Sequence, residues 1–176
     1  SAVRQEFAEV FLPEVDTRLN KFVWLGTHQK FDDAFTFIFE ETGHGLVWAH
    51  AYQFDADTAT FIVECSQQTY DAFGFETMSA LMSNANHIRG SAWLSFPRVL
   101  CAQWSHKNVV LLGDASATAH FSIGSGSKLG LESAIALANY LHSEPDLAHA
   151  FARYQQERRV DVLRLQSAAR NSTEWF

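Results

Sequence analysis

Between Lys21 and about Cys65 apolar, aromatic-rich segments of strand composition are set apart by short polar breaks. Four segments carry the pattern: KFVWLGT, FTFIFEE, LVWAHAYQF and TATFIVEC. The breaks between them are turn chemistry, Asp32-Asp33, Thr42-Gly43-His44-Gly45 and Asp55-Ala56-Asp57-Thr58, and the second is short enough for a hairpin. In LVWAHAYQF the alternation sends Trp48, His50, Tyr52 and Phe54 to one face and Val47, Ala49 and Ala51 to the other. A face that mixes aromatic and polar groups suits one wall of a pocket for a flat ligand.

The pattern then changes. Residues 67–90 hold no strong period and read as irregular with one helical turn. SAWLSFPRVLCAQWSH returns to strand composition, with Pro97 placing it at an edge or a bend. NVVLLGD is a continuous apolar run ending in Gly113-Asp114, the pattern of a strand buried on both faces. Leu131, Ala134, Ile135, Ala138 and Leu141 follow helical spacing, which predicts a helix from about Gly126 to His142. Ser143-Glu144-Pro145-Asp146 ends it and starts a second helix running to about Ser167. The class is α/β, with an antiparallel sheet region over 21–105 and a strand, glycine loop and helices over 106–176.

Composition narrows the function. A chain of 176 residues with 47% hydrophobic residues, 15 Phe, 5 Trp and 4 Tyr can bury a core and is not disordered. With 13 basic against 20 acidic residues the net charge is −7, which argues against binding nucleic acid through its backbone. No apolar run approaches the roughly 20 residues that span a bilayer, and the first residues lack the apolar core of a signal peptide. Cys65 and Cys101 are expected to be buried and reduced, so the expectation is a soluble cytoplasmic protein that does not act at a membrane. The eight histidines show no ligand spacing, so no metal site is expected. The arginines at 153, 158, 159, 164 and 170 are expected to form a solvated helix face.

The stretch from Asn108 to Ala138 carries the chemistry: a buried strand, an acid at its carboxyl end, a glycine loop and a helix N-terminus. Ligands of open α/β sheets sit outside the carboxyl ends of strands, and helix N-termini present free N–H groups to anions. On spacing alone, a plain strand-loop-helix joint in which Asp114 caps and the glycines turn fits equally well.

The residues also resemble a family. Gly113-Asp114-Ala115, Gly124-x-Gly126, Leu131-Glu132-Ser133-Ala134 and Leu137-Ala138 are similar to the second flavin-contacting motif of the p-hydroxybenzoate-hydroxylase-like flavoprotein monooxygenases. Phe22 to Thr27, Ala49-His50-Ala51-Tyr52, Phe61-Ile62-Val63-Glu64 and Ala119 to Gly124 resemble the branch that acts on salicylyl-CoA and anthraniloyl-CoA. The resemblance covers nearly the whole chain. Departures are Phe121 where the family usually has Pro, Lys128 for Asn, Ala117 for His and Ser133 for Asp.

The resemblance implies an FAD- and NAD(P)H-dependent hydroxylation of an aromatic ring by dioxygen, the ring presented as an aryl-CoA thioester. An indole- or tryptophan-derived substrate is the alternative. It implies cofactor contacts at Arg4, Asp114, Gly124, Ser125, Gly126 and Ser127, and substrate contacts at His50, Tyr52, His120 and Phe121. The flavin carries the hard chemistry, so no side chain is expected as a catalytic nucleophile. The Gly-x-Gly-x-x-Gly turn that opens the family is absent, and Ser1-Ala2-Val3-Arg4 matches only the second half of its Asp-Gly-x-x-Ser-x-x-Arg motif. Residues 1–20 thus resemble the end of an FAD-domain segment, and the chain as a whole a C-terminal portion. That implies weak or no FAD binding by the chain alone, or a non-catalytic remnant. It also implies an uncovered edge at NVVLLGD and, with it, a possible homo-oligomer.

Overall fold

The computed structural model describes residues 1–31, 34–78 and 92–174. In chain order the elements are α1 (Ala2–Glu6), α2 (Ala8–Phe11), β1 (Pro13–Thr17), β2 (Lys21–Thr27), β3 (Thr36–Thr42), β4 (Gly45–Gln53), β5 (Ala59–Cys65), α3 (Gln67–Phe73), α4 (Phe75–Met78), β6 (Pro97–Cys101), β7 (Ser105–His106), β8 (Val109–Val110), α5 (Gly126–Ser143) and α6 (Leu147–Glu174). Single 3-10 turns form at Gly113–Ala115 and Phe121–Ile123. Of the described residues, 1–17 and 97–174 form one compact unit and those between 18 and 96 form another.

The second unit is an antiparallel sheet in the order β2-β5-β4-β3, made of the four aromatic-rich segments expected as strands. Thr42 pairs with Gly45 to close the expected hairpin. Directly paired residues of antiparallel strands share a face, so one face carries three rows. Phe22, Glu64, Trp48 and Phe39 form the first, Trp24, Ile62, His50 and Phe37 the second, and Gly26, Thr60 and Tyr52 the third. Val23, Ala49, Ala51 and Cys65 lie buried on the other face.

Beyond Cys65 the chain forms two helices where one helical turn was expected. Ser66 accepts from the Thr69 N–H as an N-cap, and Gly74 ends α3 in the left-handed region, which are ordinary start and stop signals. Gly45, at φ +123°, leaves the space that Thr69 fills: a Cβ there would lie 2.3 Å from the threonine hydroxyl. The break at Asp32-Asp33 and residues 79–91, which include the second half of the weakly periodic stretch, fall outside the described residues.

In the first unit β1 pairs antiparallel with β6, which begins at Pro97. The core holds Phe11, Val99, Leu100, Trp104, Leu111, Leu129, Tyr154 and Val162. Trp104 donates its indole N–H to the Cys101 carbonyl at 3.0 Å, and the Tyr154 hydroxyl donates to the Leu111 carbonyl at 3.2 Å, so both buried rings satisfy their polar atoms. The helix α6 runs past Ser167 to Glu174 because Val162, Gln166 and Ala169 keep one face buried. Gln166 donates to the carbonyls of Val99 and Thr118 at 2.9 and 2.8 Å.

Two expectations are corrected here. Arg158 and Arg159 do not lie on a solvated face. Arg158 is buried between Glu132 and Asp161, and Arg159 donates to the Cys101 carbonyl at 2.8 Å. The run NVVLLGD is not a strand buried on both faces. Only Val109 and Val110 pair, antiparallel, with Ser105 and His106. Leu111 is buried and Leu112 is 38% exposed, because the chain turns out of the extended state at Gly113, where φ is +54°.

Candidate functional site

The helix α1 is short, capped by the Ser1 hydroxyl accepting from the Arg4 N–H. It delivers the Arg4 guanidinium to the turn after β8. Nη1 donates to the main-chain carbonyls of Asp114 at 2.9 Å and Ala115 at 3.2 Å. The Gly113 carbonyl accepts from the amides of Ser116 and Ala117 and from the Ser116 hydroxyl, which closes the turn from inside. A Cβ on Gly113 would sit 3.6 Å from Gly130 Cα, so the turn rests directly on the backbone of α5. The Asp114 carboxylate is left exposed.

Asp114, Gly126 and Ser133 line one crevice of about 10 Å³, room for a single water. Gly124 takes the left-handed conformation at φ +60°, and nothing lies within 4 Å of where its Cβ would be, nor of the Cβ position at Gly126. The Ser125 hydroxyl donates back to the Ile123 carbonyl at 3.0 Å and gives α5 no side-chain cap. The first turn of an 18-residue helix therefore offers its amides, Ser127 among them, beside two glycines. These residues fit a flat, partly anionic ring system: an open approach, donors without a titrating side chain, and a carboxylate to accept from hydroxyls.

His120 is buried, and its Nδ1 accepts from the Ser122 amide at 3.3 Å. It caps the 3-10 turn before Gly124 and does not face water. Its ring lies 4.2 Å from that of the half-buried Phe121. Arg4, Asp114 and the Gly124–Ser127 loop thus belong to one unit, with His120 and Phe121 beside the loop.

His50 and Tyr52 belong to the sheet unit and share the aromatic face. The His50 ring packs against Phe37 at 5.0 Å and Phe35 at 6.0 Å, and Phe35 stacks on Tyr52 at 5.2 Å. Phe35, Phe37, Phe39 and Trp24 remain about half exposed on this face. Burial holds the His50 imidazole below its ordinary range, so its neutral form is favoured.

Glu64 is a functional candidate that the sequence reading passed over. It is 1% exposed, its Oε2 accepts the Trp48 indole N–H at 3.1 Å, and its Oε1 accepts from the Asn20 amide at 3.4 Å. Burial pushes its carboxyl up to about 7, against the pull of those two donors. The sequence signal was partial: TATFIVEC places an acid in phase with Ile62, and the strand register sets both on the face that carries Trp48. Both cysteines are buried, and burial raises the thiol of Cys65 to about 12 and that of Cys101 in the same direction. Among the described residues no three His, Cys, Asp or Glu side chains are grouped to hold a metal ion, and no helix is long and apolar enough to cross a membrane.

No family-wide sequence profile matches the chain. It is similar to curated relatives, however. Salicyloyl-CoA 5-hydroxylase of a Streptomyces species is 34% identical over 100% of this chain and 38% of the relative. The 3-hydroxy-4-methyl-anthranilyl-[aryl-carrier protein] 5-monooxygenase of Streptosporangium sibiricum is 38% identical over 88% of this chain and 44% of its own length. Protodeoxyviolaceinate monooxygenase of Chromobacterium violaceum is 32% identical over 97% and 49%. The chain thus spans less than half the length of each of these relatives. Among solved structures, tetracycline destructase Tet(51) superimposes with a TM-score of 0.72 at 20% identity, covering 100% of this chain and 52% of that one. A probable FAD-dependent monooxygenase of Pseudomonas aeruginosa, pqsL, gives 0.69 at 19% identity, with 96% and 51% covered. At these identities the structures show the fold alone.

Proposed function

We propose that this chain, which belongs with the aromatic-ring monooxygenases it matches, is a C-terminal portion of an FAD-dependent aromatic hydroxylase and supplies its flavin-facing loop and substrate wall. The co-substrates are NAD(P)H and dioxygen, and the bound flavin supplies the oxygen-transfer chemistry.

The chain's own residues position and polarise. The Asp114 carboxylate accepts from the hydroxyls of the cofactor's ribityl chain, and Arg4 holds the turn that carries it. Gly124 and Gly126 admit a ring edge to the amides that open α5, which favour negative charge without changing protonation themselves. His50 and Tyr52, backed by Phe35 and Phe37, present an aromatic wall that orients an aromatic ring and keeps water from it. The substrate class is an aryl group carried on coenzyme A, which agrees with the name of the Streptomyces relative. The two free buried thiols suit a reducing, cytoplasmic setting.

The observation that carries this reading is the Arg4-held Asp114 turn set against the uncapped start of α5. The test is aerobic incubation of the full-length enzyme that carries this chain with FAD, NADH or NADPH and salicyloyl-CoA under labelled dioxygen. One labelled oxygen in the aryl product is expected. Reduced nicotinamide consumed without labelled product would oppose the hydroxylase reading.

A further inference from the structure

We infer that Glu64 is a positioning residue of the aromatic wall: by accepting the Trp48 indole N–H it fixes that ring, and with it the surface against which an aromatic substrate lies. The inference deepens, and rests on, the reading of this face as the substrate wall.

Glu64 and Trp48 are directly opposite on β5 and β4, and Phe39 is opposite Trp48 on β3. Both members of the hydrogen-bonded pair are buried. Directly opposite residues on one sheet face are neighbours, which sets Phe39 beside Trp48. Phe39 stacks on Phe37 at 6.5 Å and 10°, and Phe37 meets His50 edge-on at 5.0 Å. A change in the indole's tilt therefore reaches the ring that flanks His50.

A carboxyl is an expensive acceptor for this task, because burying its charge costs more than burying an amide. Its ionised form takes both donors at full strength, whereas its neutral form carries an O–H that one of them must avoid. Among the described residues, His50, Cys65 and Lys21 are the titratable groups that the strand register places nearest to it. His50 lies in the next row on β4 and is held neutral by burial. Cys65 follows on β5, facing the other side, its thiol raised by burial and by the Glu64 charge. Lys21 of β2 pairs with Cys65 on that far face and points its ammonium toward the Tyr70 ring of α3. Of these groups, Glu64 is the carboxyl that burial raises to about 7.

The test is a titration of the protein with anthranilamide, an aromatic probe whose own charge is constant near neutral pH. Binding would be followed by energy transfer from tryptophan between about pH 6 and 8, with thermal unfolding recorded alongside. Wild-type affinity should fall roughly three- to tenfold as the pH drops through 7, the difference between a charged and a neutral acceptor. Glu64→Gln should bind at pH 8 as weakly as wild type does at pH 6 and show no slope, while Glu64→Asp should recover the slope. Wild-type affinity and slope in Glu64→Gln would overturn the inference. If Glu64→Gln fails to fold, the wild-type series decides alone, and a flat profile overturns it. His50→Ala and Tyr52→Ala keep the two failures apart. Lost binding in those variants beside an unaffected Glu64→Gln sinks only the role of Glu64. Unchanged binding in all three sinks the substrate wall as well.

Discussion

The Arg4 guanidinium donates to the main-chain carbonyl of Asp114 across 110 positions of sequence, tying the first helix to the turn that carries the candidate flavin ligand. The bond is solvent-exposed and its neighbour to Ala115 only partly buried, so each is worth less than a buried charged bond. Arg4→Ala is expected to cost about 1 kcal/mol in urea unfolding and to weaken flavin binding severalfold. Arg4→Lys should recover little, because one ammonium does not reproduce the guanidinium's planar reach. Unchanged flavin affinity in Arg4→Ala would detach the turn from the cofactor.

Asp114 separates binding from folding. Its carboxylate is exposed, so Asp114→Ala should leave the melting temperature within a few degrees of wild type. The loss of a charged hydrogen bond to ligand, about 1.5–3 kcal/mol, should lower flavin affinity roughly ten- to a hundredfold. Flavin fluorescence titration of the two proteins side by side checks this.

The glycines of the site are expected to differ in kind. Gly113 and Gly124 have positive φ, so alanine at either should cost about 1–2 kcal/mol of stability. Gly126 has open space at its Cβ position and lies in the first turn of α5, so Gly126→Ala should be neutral or stabilising by several tenths of a kcal/mol. The same substitution narrows the approach to the helix amides and should still reduce flavin affinity. A destabilised Gly126→Ala protein would contradict the described loop.

Glu64 makes stability depend on pH. The folded chain holds its proton up to about 7, whereas the unfolded chain releases it near 4.5. Across that window the folded state binds the extra proton, so stability falls as the pH rises, and the full difference is about 3 kcal/mol. Glu64→Gln removes this titration. Denaturant unfolding at a series of pH values should show wild type losing roughly 3 kcal/mol relative to the variant between about pH 4 and 8, chiefly between 4.5 and 7. Parallel profiles would show that the carboxyl is solvated. The charged form costs the fold stability while holding Trp48 more firmly, so the two Glu64 experiments have opposite signs with pH.

Much of this was legible in the residues, for identifiable reasons. The sheet announced itself through four segments rich in aromatic and β-branched residues set between turn residues, although burial alternates only in part: Phe37 to Glu41 of β3 are all exposed and Trp48 to Ala51 of β4 all buried. The helix α5 was found because its periodic apolar residues start beside Gly126 and end beside Pro145. What failed was context. NVVLLGD has the composition of a central strand, but pairing beyond Val110 depends on neighbours that composition does not encode. Arg158 and Arg159 read as solvated because long charged side chains usually are, and only the positions of Glu132 and the Cys101 carbonyl turn them inward. Asp114 and the Gly124 loop stood out by spacing. Arg4 gained its meaning from a family motif of which half remains, and Glu64 needed the strand register before it could be placed beside Trp48.

The central claim, that the Asp114 turn and the Gly124–Ser127 loop form a flavin-facing half-site, is tested most directly by amide chemical shifts of the labelled protein during titration with FAD. The method registers weak binding, which is what a half-site should show. Dose-dependent shifts are expected to concentrate at residues 113–117 and 124–128 and to be lost in Asp114→Ala while the rest of the spectrum is retained. Shifts confined to other surfaces, or a wild-type pattern persisting in Asp114→Ala, would contradict it.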